Sequence, residues 1–447
     1  MTLDLFPYQR EGAAFLARKH RGGLFDDMGV GKSAQAIAAL DQIKAMKVLI
    51  ICPAAVRQVW IGEFAKFSAV HRRILKGRDI QDLNLWLRGK CHVLILSYEM
   101  AASWAKRIED AGEFIDAIVF DEAHYMKNDQ AARTRAMLGS HCTGKFGLAR
   151  WATHVWFLTG TPNPNDAADI WSMMRFAGAT KLTRKIFRDR YYTQRSGSYS
   201  AQHTPRKEMV PELKAAIKSF SLRRTKAEAG LQLPPIWLTN VTVDGDTAEV
   251  AALMREYPDL EKAIIEAIER GGLSFLDAQH VATLRRLVGE AKAPSYLEML
   301  KEELHDGAGK RVVFGIHTAA LRRIRGGLEA SGVGCTGITG ETSERDRTRA
   351  MSAFADDPDC RVFVGNIRAA GTGLTLTASA DVDMFESAWD PASNAQAIMR
   401  VHRVGQTRNV SARFITLANS IDVVVNETVE RKTRNIAMTG TFSAIGT

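Results

Sequence analysis

Two stretches of this chain carry residue types that could together hydrolyse a nucleoside triphosphate. The first is Asp26-Asp27-Met28-Gly29-Val30-Gly31-Lys32-Ser33, set between an apolar segment and a helical one. Glycines let the backbone of Asp27, Met28, Gly29, Val30 and Gly31 wrap phosphates, and the N-terminus of the following helix points N–H groups at them. Lys32 would meet the β and γ phosphates, and Ser33 would hold Mg2+. The general phosphate-loop pattern has Gly at position 26; this chain has Asp26, so the strict pattern is not met. The second stretch is Val119-Phe120-Asp121-Glu122-Ala123-His124, an apolar strand running into two carboxylates. Side chains at the C-terminal end of a strand in an open parallel sheet reach the crevice where ligands bind. There Asp121 would hold Mg2+ through water, and Glu122 would orient and deprotonate the attacking water. Alone, either stretch is compatible with a plain turn. A phosphate loop followed by a buried strand that ends in paired carboxylates is much more specific.

Such a site needs a parallel sheet to position it. Short apolar runs occur at Val48–Cys52, Val93–Ser97, Ala117–Phe120 and Val155–Leu158, and again at Val312–Ile316, Arg361–Val364, Val382–Phe385 and Ala412–Thr416. They lack polar alternation, as expected of parallel strands covered on both faces. Helical segments lie between them; after Ser33, for instance, Ile37, Leu40 and Ile43 fall three apart. The pattern predicts an α/β fold of two tandem doubly wound parallel-sheet lobes with helical insertions between them. The intervening region, roughly 165–305, reads as mostly helical and is rich in Lys and Arg around Lys181–Lys226. Leu233-Pro234-Pro235 cannot continue a helix and reads as a linker. The lobes are accordingly expected at 1–235 and 236–447.

Composition narrows the partners. The chain has 447 residues, 46% hydrophobic and 25% charged, enough for two or three cored domains. Its net charge of +10 and pI of about 9.4 suit a polyanion, nucleic acid before membrane. Cys52, Cys91, Cys142, Cys335 and Cys360 are scattered without a CxxC pair, so they read as small buried hydrophobes of a reducing compartment and not as zinc ligands. No apolar run of roughly 18 residues and no basic-then-apolar leader is present, so neither a membrane span nor secretion is expected.

The Asp-Glu-Ala-His box with Lys127-Asn128 after it resembles the Swi/Snf-related branch of helicase superfamily two. Leu158-Thr159-Gly160-Thr161-Pro162-Asn163-Pro164-Asn165 is similar to that family's third motif. Phe6-Pro7-Tyr8-Gln9-Arg10-Glu11-Gly12 resembles its adenine-reading segment, in which Gln9 would bond the adenine edge with its amide donor and acceptor. Superfamily-two enzymes often lack the glycine that is missing at position 26. Gln396-Ala397-Ile398-Met399-Arg400-Val401-His402-Arg403-Val404-Gly405-Gln406 resembles the sixth motif. The spacing of Gln396, Arg400 and Arg403 would put them on one helix face. The resemblance implies that Arg400 and Arg403 act as arginine fingers on the γ-phosphate, an effect of about 10³–10⁵ in turnover. Ala370–Thr377 looks like the fifth motif, with Gly373 counted among the nucleotide-binding residues; its glycines and hydroxyls could also approach a phosphate backbone. Trp389-Asp390-Pro391 departs from the family's commoner Trp-Asn-Pro, and Asp390 is assigned no role. Phe220-Ser221-Leu222-Arg223-Arg224-Thr225-Lys226, followed by Leu233-Pro234-Pro235, resembles the signature between the lobes. The resemblance covers nearly the whole chain, in order.

The resemblance, closest to small fork-remodelling or phage and bacterial members, implies an ATP- and Mg2+-dependent motor on double-stranded or branched DNA, indifferent to base sequence. Its lobes would be RecA-like, targeting would come from protein partners or DNA structure, and the expected place is cytoplasmic, nucleoid-associated in a bacterium or phage-infected cell. Phosphate contacts are expected from Cys52-Pro53-Ala54, Ser97-Tyr98-Glu99, the third-motif threonines, Gly315–Thr318, Gly340–Arg345 and Gly371–Thr377. The Lys and Arg of 181–226 would add electrostatic grip, with a solvated charged face as the plain alternative. No inserted wedge between DNA strands is legible in the sequence. Two other readings stay open: a strand-separating DNA or RNA helicase, and a DNA-binding adaptor that uses ATP as a switch.

Overall fold

The computed structural model describes residues 4–140, 146–160, 167–196, 201–262, 264, 278–370, 374–389 and 391–439. Its strands form two large sheets, and every strand pair in both is parallel. The first sheet contains β1 (Arg21–Leu24), β2 (Val48–Cys52), β3 (Ile74–Lys76), β4 (Val93–Ser97), β5 (Ile115–Asp121), β6 (Ala152–Leu158) and β9 (Ser221–Leu222), in the order β3-β4-β2-β5-β6-β1-β9. The second contains β10 (Ile236–Val243), β11 (Arg311–Gly315), β12 (Gly334–Ile338), β13 (Cys360–Asn366), β14 (Asp381–Met384) and β15 (Val410–Leu417), in the order β10-β15-β14-β11-β13-β12. The chain divides into two compact units, one of residues up to 195 together with 201–231, the other of residues 232–440.

Alternation along each strand builds two cores per sheet. Leu49, Ile51, Leu94, Leu96, Ile118 and Phe120 pack on one face of the first sheet. Val48, Ile50, Val93, Ile95, Ala117 and Val119 pack on the other. Both faces are covered, so successive residues point to opposite sides and yet are all apolar. In the second unit Val312 and Phe314 face one core and Val313 the other.

The eight apolar runs expected to be strands all lie on strands, with Ile316 and Phe385 falling just past the ends of theirs. Five strands of the two sheets escaped the pattern. β1 is Arg-Gly-Gly-Leu and β9 has two residues, too little apolar material to register. β3 is three residues long and half-buried. β10, at one edge of the second sheet, alternates exposed and buried positions. β12, at the other edge, owes its composition to its neighbour. A Cβ on Gly334 would lie 2.1 Å from the Asp359 carbonyl oxygen, and one on Gly337 would lie 2.1 Å from that of Val364.

The region around 165–305 is mostly helical, as expected, but strands interrupt it. Helices Arg184–Tyr191 and Val210–Phe220 flank a two-stranded hairpin, β7 (Tyr192–Ser196) with β8 (Ala201–Pro205), and β9 and β10 follow. This hairpin interrupts the helical stretch. Its polar, Ser- and Gly-containing sequence carries no apolar run to announce strands. Among the described residues no helix is long and apolar enough to cross a membrane. Cys52, Cys91 and Cys360 are buried, Cys335 is half-buried, and Cys142 lies outside the described residues.

The glycine requirement at β12 is testable. Gly337→Ala forces a methyl group onto a neighbouring backbone carbonyl, which cannot move as a side chain can. The expected cost is about 1–3 kcal/mol, read from denaturant unfolding, and an unchanged unfolding midpoint would refute the close approach.

Candidate active site and nucleic-acid interface

The first sheet brings the two chemical stretches together through its strand order. β6 lies between β5 and β1, and in register Asp121 is opposite Leu158, which is itself opposite Leu24. The phosphate loop therefore leaves one flank of β6, the Asp-Glu pair leaves the other, and Thr159-Gly160 leaves the middle. This crowding is visible at Gly160, where a Cβ would lie 2.7 Å from Met28 Cγ and 3.4 Å from Lys32 Nζ.

The loop runs from Phe25 into helix α2 (Lys32–Gln42). Gly29 and Gly31 have φ of 84° and 77°, left-handed values that glycine adopts without Cβ strain. Lys32 Nζ donates to the carbonyls of Asp26 at 2.8 Å and Asp27 at 3.0 Å. Burial pushes the Lys32 ammonium below its usual pKa, and Glu122, Asp26, Asp121 and Asp27 act against that shift. Ser33 opens the helix and is half-buried. Gln9 comes from α1 (Pro7–Arg18), which starts at Pro7, where its missing N–H is no loss. Its amide lies under the loop: Nε2 donates to the Val30 carbonyl at 3.4 Å, and Oε1 accepts from the Phe6 N–H at 3.0 Å. A Cβ on Gly31 would lie 2.4 Å from Gln9 Nε2.

At the end of β5, Asp121 is held on three sides. Its Oδ2 accepts from Trp60 Nε1 at 2.9 Å, its Oδ1 from the Glu122 N–H at 3.0 Å, and its carbonyl from Tyr98 Oη at 2.8 Å. Burial and the neighbouring Glu122 charge raise its pKa to about 6, against the lowering pull of Trp60 and Lys32. Glu122 has φ 51° and ψ 50°, a left-handed conformation that costs a non-glycine residue about 1–3 kcal/mol. His124 Nδ1 lies 3.1 Å from Thr159 Oγ1 and 3.4 Å from Glu122 Oε2. The carboxylate pair and the end of β6 are thus joined through one imidazole. The donors fit a hard divalent cation: a hydroxyl at Ser33 and a carboxylate at Asp121, whose repulsion with Glu122 such an ion would relieve.

Asp26, the residue where the general pattern has glycine, is fully buried and neutralised. Arg224 donates to it twice, Nη2 to Oδ2 at 2.7 Å and Nε to Oδ1 at 3.2 Å. Gln35 Nε2 donates to Oδ2 at 3.1 Å, while Gln35 Oε1 accepts from Arg224 Nη2 at 2.8 Å. Arg224 Nη1 also donates to the Tyr8 carbonyl. The backbone completes the contact: Phe25 N–H donates to Leu222 O at 2.8 Å and Asp27 N–H to Arg224 O at 3.0 Å. The loop is therefore braced by residues 222–226. The sequence did signal this, since a carboxylate in a glycine position needs a cation and Arg223-Arg224 stood unassigned to the site.

In the second unit the sixth-motif residues do not share one helix face. The helix Pro391–Ile398 ends before Arg400, where bonds tighten to Arg400 N–H→Ala397 O and Val401 N–H→Ile398 O. Gln396 lies on the helix, and Arg400 and Arg403 lie on the turns after it. Arg403 Nη1 donates to Leu374 O at 3.1 Å, and Leu376 N–H donates to Arg400 O at 2.9 Å, so the fifth and sixth motifs hold each other. Gly373 and Asp390 lie outside the described residues, as do Gly371, Thr372 and 161–166 with the remaining third-motif residues. The loop after β11 is fixed by Glu386, which the sequence did not single out. Its buried carboxylate accepts from the N–H groups of Ile316 and His317, each at 2.8 Å, and lies 2.7 Å from His317 Nδ1.

Among the expected phosphate contacts, Ser97-Tyr98-Glu99 does not fit. Ser97 Oγ caps the following helix by accepting from the Met100 N–H at 3.2 Å, and Tyr98 is buried under Asp121. Of the three, Glu99 is exposed, and its charge repels phosphate. Cys52 and Pro53 are likewise buried, leaving Ala54 exposed.

A phosphate loop and an Asp-Glu strand end, flanking one strand of a parallel sheet and followed by a second parallel-sheet unit, define an ATP-hydrolysing enzyme of the helicase-like class. Residues 8–281 match the SNF2-related domain and residues 295–405 match the helicase conserved C-terminal domain; the chain belongs to the SNF2-related family. It is 31% identical over 438 residues to the SWI/SNF-related matrix-associated actin-dependent regulator of chromatin subfamily A-like protein 1 homolog of Caenorhabditis elegans, covering 96% of this chain and 61% of that protein. It is 26% identical over 446 residues to the human DNA annealing helicase and endonuclease ZRANB3, covering 97% of this chain and 40% of that protein. The chain thus spans less than two thirds of the length of each of these relatives. Among solved structures it is similar to the Sulfolobus solfataricus SWI2/SNF2 ATPase core in complex with dsDNA, with a TM-score of 0.46, 24% identity, and coverage of 100% of this chain and 96% of that one.

Two outcomes follow from the site. Arg224→Met leaves Asp26 as an uncompensated buried charge, at an expected cost of about 3–5 kcal/mol. Adding Asp26→Asn should recover more than about 1 kcal/mol of it; strictly additive losses in denaturant unfolding would show that the pair is not coupled. Asp121 has a folded pKa raised above its unfolded one, so its ionised form weakens the fold above about pH 6 and the penalty fades as pH falls towards the unfolded value. Without added metal, Asp121→Asn should therefore melt several degrees higher than the parent at pH 7.5 and no higher near pH 4. An equal difference at both pH values would contradict the shift.

Proposed function

We propose that this chain is an ATP-dependent motor that moves along double-stranded DNA without reading base sequence. One observation carries the reading: the phosphate-loop and carboxylate residues meet on one sheet, joined to the third-motif strand end. Lys32 and Ser33 close the loop, Asp121 and Glu122 stand across β6, and the His124–Thr159 contact joins the carboxylates to Thr159-Gly160. An adaptor using ATP as a switch has no need of Glu122 held beside Asp121 in a costly backbone conformation.

In this reading Lys32 neutralises the β and γ phosphates of ATP, and Gln9 reads the adenine edge. Ser33 and Asp121 would hold Mg2+, which would supply positive charge beside the phosphates. Glu122 accepts the proton of the attacking water. His124, in contact with both Glu122 and Thr159, transmits the state of that site to the loop after β6. Arg400 and Arg403 act on the γ-phosphate as arginine fingers. Strand-end loops grip phosphates through N–H groups and hydroxyls, and each ATP turnover resets that grip so that the track advances.

The translocase reading is supported by the residues after β9, which resemble the family's signature between lobes, and by the name of one relative, an annealing helicase. The hairpin β7–β8 favours a second reading, a strand-separating helicase, because an inserted hairpin is a candidate wedge. The two differ in what happens behind the motor, where each base-pair step costs about 1.4 kcal/mol to open. The deciding experiment compares displacement of a third strand from a triplex with unwinding of a long blunt duplex, both with ATP and Mg2+. Triplex displacement with the duplex left paired is expected, and it should vanish in Lys32→Ala, Glu122→Gln and Arg403→Ala. Efficient duplex unwinding with the triplex untouched would replace this reading by the helicase one.

A further inference from the structure

The positive charge of this chain is concentrated in one insertion. Thirteen of its 60 Lys and Arg residues, but three of its 50 Asp and Glu residues, lie between 181 and 226. That segment therefore carries the whole net charge of +10, and the rest of the chain is formally neutral. It comprises the helix Arg184–Tyr191, the hairpin β7–β8 and the helix Val210–Phe220, inserted between β6 and β9.

Packing decides which way the charges face. Phe187 and Tyr191 from the first helix, and Leu213, Ile217 and Phe220 from the second, are buried in the core of the first unit. Lys181, Lys185, Lys207, Lys214 and Lys218 are exposed. Several arginines of the segment have acidic partners. Arg184 pairs with Asp129, Arg190 with Glu212 at 2.8 Å, and Arg224 turns inward to Asp26. Tyr191 Oη adds a bond of 2.7 Å to the same Glu212 carboxylate. The acids left on the outer surface of the segment are Asp189 and Glu208. Lys214 and Lys218, four apart on one helix, repel each other.

Such a surface is relieved by a polyanion. Two features favour a phosphodiester backbone over an acidic protein. A protein interface has an apolar centre, and among the described residues of the segment Ile186 is the one large hydrophobic that is strongly exposed. Lys185 on the first helix and Lys214 and Lys218 on the second also present charge from two elements, as suits an extended track of phosphates. We infer that the helical parts of this insertion form a second grip on the duplex backbone, separate from the strand-end loops. It sets how tightly the motor holds DNA and leaves the rate of hydrolysis to the sheet. The inference rests on the reading that the motor's track is DNA.

The test neutralises Lys185, Lys207, Lys214 and Lys218 together to Gln. A control changes Lys44, Lys66, Lys90 and Lys106 to Gln, an equal loss of charge elsewhere on the first unit. Binding to a fluorescent duplex DNA, a matched single strand and a matched RNA duplex is measured from about 50 to 200 mM salt. Each lost duplex contact should reduce the slope of log affinity against log salt by about 0.9, so the insertion variant should lose about 2–4 and the control less than 1. The duplex concentration for half-maximal ATPase should rise at least tenfold while the rate at saturation stays within about twofold. Equal slopes for parent and insertion variant, or equal losses in both variants, overturn the inference. A slope lost on RNA but kept on DNA overturns the choice of partner. The motor reading fails separately, if the parent's turnover ignores every DNA offered while the slope comparison still decides the grip.

Discussion

The fully buried ion pair between Asp26 and Arg224 is the constraint on which the catalytic unit depends. A phosphate loop must hold its N–H groups in place without a ligand's help, and this one begins with a carboxylate that cannot be buried alone. Arg224 and Gln35 satisfy that carboxylate between them, and Arg224 donates as well to the Tyr8 carbonyl. In doing so they tie together α1, which brings Gln9, α2, which brings Lys32 and Ser33, and the stretch following β9. Replacing such a pair by apolar residues is often no loss in stability. Its value here is geometric, because it fixes three chain segments against one loop.

The second half of the site depends on strand order. With β6 between β1 and β5, the loops from all three strands emerge side by side, and His124 bridges two of them. Asp121 is oriented by Trp60 and the Glu122 amide before any cation arrives, which lowers the cost of organising the site. That cost is instead carried by the protein, in the crowded carboxylates and in the left-handed backbone of Glu122.

Much of this was legible in the sequence because it is written in local patterns. Apolar runs such as Val48–Cys52 are strands since both faces are buried, and Asp-Glu after such a run falls at the ligand edge by topology alone. The parts that were not legible depend on partners far away. Arg224 resembled a signature between lobes, but its place under the loop follows from β9 pairing with β1. Glu386 looked like an ordinary acid until the loop after β11 closed on it. Tyr98 looked available to phosphate, and packing buried it. The one-face reading of Gln396, Arg400 and Arg403 failed for a local reason, since the helix tightens and ends at Ile398.

The position of β1 has a consequence for how the protein is made. Its Arg21 pairs with Val155 and its Gly23 with Ser221, so the strand that delivers the phosphate loop finds its neighbours about 130 and 200 residues later in the chain. At about 5–20 residues per second of synthesis, β1 waits roughly 10–40 s after leaving the ribosome before both flanks exist. During that interval β2, β4 and β5, which pair among themselves, can assemble without it. The nucleotide loop is then among the last parts of its unit to settle, so a nascent chain stalled before residue 221 would have most of its sheet but an unbraced ATP site.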